Sequence, residues 1–352
     1  MMAWASETQL VAAVGLFGGV LLGLAARLGR FCSLGAIEDA LYGGSDIRLR
    51  MWALAVGASV IGTFALIGAG LLEGGASYYL SIRWMPVAAV VGGLMFGYGM
   101  ALAGNCGYGA IARLGGGDLR SFVVVLVMGV SAYAVLAGPF APLRDLLFHQ
   151  EPETNGILPG LAHQLAGLVH LPVAGVGIAV GIGICVLALW SRAFRRDGRA
   201  VAWSLVVAVA IVSGWAGTAW VQAHGFAATP VVSHSFSAPV GETILFAMTG
   251  SARPLSFAVG SVAGVWLGAF AGSLMQGRFR WEACEDPREL RRQIIGAAIM
   301  GAGAVIALGC TVGQGLSAMS VLALSAPLTI CAIFAGAALG LRQLIEGFRL
   351  AE

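Results

Sequence analysis

Apolar residues fill the chain in long runs separated by short polar stretches. Nine runs come near the roughly 20 residues that a bilayer core requires: about Leu10–Ala26, Trp52–Leu72, Met85–Ala103, Phe122–Phe140, Val173–Trp190, Val201–Val221, Leu255–Met275, Ile294–Leu308 and Ser320–Leu341. Two further apolar segments, Phe31–Gly43 and Ser237–Gly250, are too short to span. Each has a Gly or Pro start, a short apolar stretch and a Gly stop, the pattern of a half-helix. Neither has a strongly charged face, so both are expected to be re-entrant rather than surface-lying. Leu143–Leu171 holds Arg144, Asp145, His149, Glu151, Glu153, Pro159, His163 and His170 and is expected to form an outer-surface loop with a short interfacial helix.

Arginine placement orients the spans. Seventeen of the twenty arginines fall in loops on one side, and Arg83, Arg144 and Arg253 fall on the other. The N-terminus is therefore expected outside, on the periplasmic side, and the C-terminus in the cytoplasm. No cationic start with a small-residue cleavage site is seen, so no cleaved signal peptide is expected.

The halves repeat the order of their parts: span, short broken helix, two spans, a Gly-rich break and a final span. The first half is 1–142, the outer loop and connecting span are 143–200, and the second half is 201–352. Because the connector crosses once, the halves are expected to be inverted repeats, an architecture typical of transporters. The expected fold class is an all-α polytopic membrane protein with about nine transmembrane helices plus re-entrant half-helices. Composition agrees. Of 352 residues, 59% are apolar and 11% charged, with mean hydropathy +0.88, where a soluble domain has about 25% charged residues. The net charge of +3 is explained by topology and is no nucleic-acid signal.

Candidate chemistry lies at the breaks. Cys-x-x-Gly occurs at Cys32–Gly35, Cys106–Gly109 and Cys310–Gly313, whereas Cys185, Cys284 and Cys331 lack it. A broken helix offers free N–H groups and a positive dipole end to an anion. Gly35, Gly107, Gly109 and Gly313 allow close backbone approach, and Asn105, Thr311 and Gln314 add polar groups. A neutral thiol is a weak donor and acceptor suited to a large soft ligand. Arg113 stands at the inner mouth, and Glu38, Asp39 and Glu242 are the candidate acids in the broken helices. Ala238-Pro239-Val240-Gly241 aligns with the Cys32 element, so a fourth thiol is missing. Cys185 and Cys331 read as small buried hydrophobes. His149, His163 and His170 lie on separate stretches, so no metal site is expected, and no cofactor motif is present.

Gly29-Arg30-Phe31-Cys32, Ala103-Gly104-Asn105-Cys106-Gly107-Tyr108-Gly109-Ala110 with Arg113 and Gly115–Leu119, Gly309-Cys310-Thr311-Val312-Gly313-Gln314-Gly315 and Phe236–Gly241 resemble signature segments of the YeeE/YedE family of sulfur-transport membrane proteins. The resemblance covers nearly the whole chain. It implies a non-enzymatic permease for thiosulfate uptake across the inner membrane, with Cys32, Cys106 and Cys310 as a relay of weak S–H hydrogen bonds. It also implies hand-over to a cytoplasmic sulfur carrier of the TusA type, with no such carrier fused after the last span. Family members differ in substrate, so another sulfur or selenium species is the alternative. From the residues alone, a thiol-redox membrane protein and a channel for small neutral solutes also stay open.

Overall fold

A computed structural model describes residues 6–150, 158–226, 229–283 and 286–347. The helices in chain order are α1 (Glu7–Leu28), α2 (Ser33–Glu38), α3 (Ile47–Gly68), α4 (Tyr78–Ser81), α5 (Pro86–Ala103), α6 (Gly107–Gly115), α7 (Leu119–Leu136) and α8 (Ala141–Leu147). Then follow α9 (Leu161–Val169), α10 (Val173–Leu189), α11 (Arg192–Arg196), α12 (Gly198–His224), α13 (Ala238–Thr249), α14 (Phe257–Met275), α15 (Pro287–Ile306) and α16 (Ser325–Glu346). A π-turn, Asp39–Gly43, prolongs α2, and a second, Gly313–Ala318, follows Cys310. Among the described residues no β-strand forms, only three isolated bridges. The chain is thus an all-α polytopic membrane protein.

The helix ends follow local chemistry. Ser6 and Gln9 make a reciprocal capping box on α1, and Asp118, Asp197 and Ser256 cap α7, α12 and α14. Pro86 and Pro287 sit in first turns, where a missing N–H costs nothing.

Seven helices are each long and apolar enough to cross a bilayer, and α9 with α10, bent by 115°, makes an eighth if taken as one broken span. A helix lies on each of the nine expected apolar runs, but α15 is not among the candidate spans: it starts earlier, at Pro287, and takes in Arg288, Arg291 and Arg292. The last span starts at Ser325 rather than Ser320, because a helix with a π-turn occupies 311–320. Phe31–Gly43 and Ser237–Gly250 are short helices, as their patterns indicate. The 143–171 segment holds two short helices rather than one. The second of these, α9, buries Ala162 and Ala166, and Pro159 and Leu161 bond to the backbone of Leu324 and Leu322. Glu151 and Glu153 lie outside the described residues.

Small residues set the packing. Gly15, Gly19 and Gly23 of α1 meet Gly260, Gly264 and Gly268 of α14 at four-residue spacing. A Cβ on Gly19 would stand 2.4 Å from the Ser261 carbonyl oxygen, and one on Gly264 2.4 Å from that of Leu16. Lipid tails are as apolar as leucine, so helices in a bilayer associate through such close backbone contact. Gly93 and Gly97 play the same part between α5 and α16.

The pairings are reciprocal between the halves. α1 packs on α14 and α12 on α3; α5 packs on α16 and α15 on α7; α13 packs on α7 and α14, and α2 on α16 and α3.

Candidate functional site

Each Cys-x-x-Gly element begins a helix. Cys32 is the N-cap of α2 and Cys106 the N-cap of α6. Their sulfurs accept the N–H of Gly35 at 3.5 Å and of Gly109 at 3.4 Å. Cys310 precedes the helix at 311–320, and its sulfur accepts the N–H groups of Gly313 and Phe236, both at 3.4 Å. The Cys-x-x-Gly spacing therefore has a physical reason: the thiol caps the donor three residues on, as Ser or Asp does elsewhere. A thiol that accepts a backbone N–H keeps its own hydrogen as a weak donor.

The three elements meet. The Cys106 thiol lies beside the hydroxyls of Ser33 and Thr311 and interacts with the Cys32 thiol. Ser33 donates to Thr311 at 3.4 Å and to the Met100 sulfur at 3.7 Å. Phe236 bridges to Cys310 through its N–H and lies against Tyr108, with ring centroids 5.5 Å apart. The Tyr108 hydroxyl donates to the Leu22 carbonyl, which ties α6 to α1. Cys106 and Cys310 are each 1% exposed, while Cys32 is half-buried.

Two cavities flank this cluster. One of about 350 Å³ reaches Cys32, Asn105 and Gly109 and is lined by Arg27, Arg30, Arg48, Arg113 and Arg278, with Glu38 as its one acid. The other, of about 600 Å³, reaches Ser235, Ser237 and Gly309 beside Cys310 and has Glu242 as its one charged lining residue. The first sits at the C-terminal ends of α1 and α14, the second at their N-terminal ends, by Thr8 and Ser256. The 22 residues of α1 amount to roughly 33 Å, so the cavities open at opposite ends of the molecule. Burial pushes the Glu38 carboxyl above the usual carboxylate range, against the pull of Arg113 and Arg48. Asp39 pairs with Arg48 at 3.2 Å.

The other expected residues fall into place unevenly. A Cβ on Gly35 would stand 2.3 Å from an Arg48 guanidinium nitrogen, and one on Gly107 2.6 Å from the Met128 sulfur. Gly109 and Gly313 lie under the side chains of Asn105 and Ser235. Gln314 serves the backbone instead of the path. Its amide donates to the carbonyls of Ala307 and Leu308 at 2.8 and 3.2 Å, which closes the end of α15. Cys331 is exposed on α16 rather than buried, Cys185 is half-buried against Gly57, and Cys284 lies outside the described residues. Among the described residues no cluster of His, Cys, Asp and Glu fits a metal ion. Sequence reasoning did not single out Ser33, Phe236 or Ser235. Ser33 carried a signal, as a polar residue inside a Cys-x-x-Gly element, and Phe236 stood at the head of a signature segment.

The sulphur-transport family model matches residues 28–339, a range that contains all three elements. The chain is 29% identical over 317 residues to a protein of Escherichia coli K12 named thiosulfate transporter TsuA, covering 86% of each. It is 25% identical over 323 residues to a protein of the same name from Spirochaeta thermophila, covering 88% of this chain and 92% of that one. A probable transporter, YedE of Escherichia coli K12, is 29% identical over 147 residues, 40% of this chain. The chain belongs to the sulphur-transport family of membrane proteins, which are transporters and not enzymes.

Proposed function

We propose that this chain is an inner-membrane permease for thiosulfate, passing the ion along Cys310, Cys106 and Cys32. The observation that carries the reading is that three thiols, each holding a helix start through its sulfur, stand on elements that meet between two cavities at opposite ends. The terminal sulfur of thiosulfate is large and weakly hydrated, so a thiol can hold it without trapping it. The relatives named thiosulfate transporters support the choice of ion.

The reciprocal helix pairings support an inverted repeat, with α2 and α13 as re-entrant half-helices and nine crossings in all. Arginine placement supports a periplasmic N-terminus and a cytoplasmic C-terminus, so the arginine-lined cavity faces the cytoplasm. That mouth is a suitable place for a TusA-like sulfur carrier to collect the ion.

Uptake of labelled thiosulfate into liposomes tests the reading. Cys106→Ala should lower the rate at least tenfold while the protein still inserts and folds. Uptake unchanged by Cys106→Ala, or a Cys32–Cys106 disulfide in active protein, would overturn the relay.

A further inference from the structure

Three helix starts around the path are capped by thiols; the start of α13 is not. Its N-cap is Ser237, no side chain caps it, and Pro239 in its first turn has no N–H. Ser237 is 1% exposed, its hydroxyl has no hydrogen-bond partner, and it lines the 600 Å³ cavity. A buried hydroxyl without a partner is costly and calls for a ligand. Two more hydroxyls converge nearby. The Ser235 hydroxyl is 3.7 Å from the Cys310 sulfur. A Cβ on Gly313 would stand 2.8 Å from that hydroxyl and 3.2 Å from the phenol oxygen of Tyr79, so both oxygens lie within reach of one small ion. Tyr79 lines the same cavity.

We propose that Ser235, Ser237 and Tyr79, with the free end of α13, form a hydroxyl subsite for the oxygen face of a tetrahedral sulfur oxyanion. This rests on the permease reading and adds a recognition step to it. Thiosulfate has two chemically distinct ends, three hard oxygens and one soft sulfur. Hydroxyls and helix N–H groups suit the first, and the Cys310 thiol beside them suits the second. Sulfate offers the same oxygens and no soft sulfur, so it binds at this subsite without passing on to the thiols. Glu242, one turn along α13 and accepting a hydrogen bond from Ser256, opposes an anion here. It keeps the hold weak enough for release.

Titration of the purified full-length protein with sulfate and with thiosulfate tests the subsite by calorimetry, with liposome uptake measured in parallel. The wild-type protein should bind both anions. Ser237→Ala should weaken both roughly tenfold, the effect of losing one hydrogen bond to a charged group. Its anion-free melting temperature should not fall, because the hydroxyl has no protein partner to lose. Ser235→Ala carries the same test should Ser237→Ala fail to insert. Glu242→Gln should tighten binding of both. Sulfate that does not bind, or affinities unchanged in both serine variants, would overturn the subsite. Thiosulfate that binds but does not cross would end the permease reading and leave the subsite standing.

Discussion

At the scale of single residues, the three cysteines share more than their spacing to glycine. Two positions before each stands a residue in the left-handed region: Arg30 at φ 55°, Gly104 at 74° and Leu308 at 58°. That residue ends one helix and turns the chain so that the cysteine begins the next. Gly104 adopts it freely, whereas Arg30 and Leu308 do so under strain held by their surroundings. The sequence showed the Cys-x-x-Gly pattern but not this turn, since arginine and leucine do not favour it. Nothing lies within 4 Å of a Cβ built on Gly104. Gly104→Ala should therefore cost only the backbone term, about 1–2 kcal/mol, read as a fall in melting temperature. The role of Gln314 was hidden for a related reason: which carbonyls an amide reaches depends on where α15 breaks.

Among the elements, legibility followed hydrophobicity. Runs of apolar residues located the long helices, because a bilayer demands an uninterrupted apolar stretch and local composition records it. The start of α15 was lost because Arg288, Arg291 and Arg292 extend the helix beyond its apolar part. The start of α13 differs in kind from that of α2. Alignment of the halves set Ala238 against Cys32, and the residue before α13, Ser237, has helical dihedrals and makes no cap bond, where Cys32 is extended and caps α2. The α1–α14 seam was invisible, since its glycines look like those anywhere in an apolar run. Gly19→Val would push a branched side chain to within 2.4 Å of the Ser261 carbonyl. It should destabilise the protein by about 1–3 kcal/mol, as overpacking does, and should do so in denaturant melts of the protein in detergent.

For the molecule as a whole, sequence could rank the cysteines but not bring them together. The meeting of Cys32, Ser33, Cys106 and Thr311 joins segments far apart in the chain, and no local pattern records such closeness. Transport energetics belongs to this scale. Carrying a dianion inward against an inside-negative potential costs about 2.3 kcal/mol per charge per 100 mV. The groups that act on Cys106 are the Cys32 thiol, the hydroxyls of Ser33 and Thr311 and the Gly109 N–H; Glu38 and Glu242 stand off in the flanking cavities. Accumulation of thiosulfate in liposomes should accordingly fall as an imposed inside-negative potential is raised, and accumulation indifferent to potential would reveal proton coupling. The caps also bear on whether the cargo survives its passage. A thiolate that attacked the S–S bond of thiosulfate would keep the outer sulfur as a persulfide and expel sulfite. At Cys106 and Cys310 the sulfur accepts backbone N–H groups and serves as a structural cap. On the permease reading, a thiol held as a cap passes the ion by hydrogen bonds alone, so the ion leaves with its S–S bond whole and the protein emerges unaltered for the next one, a conduit rather than a reagent.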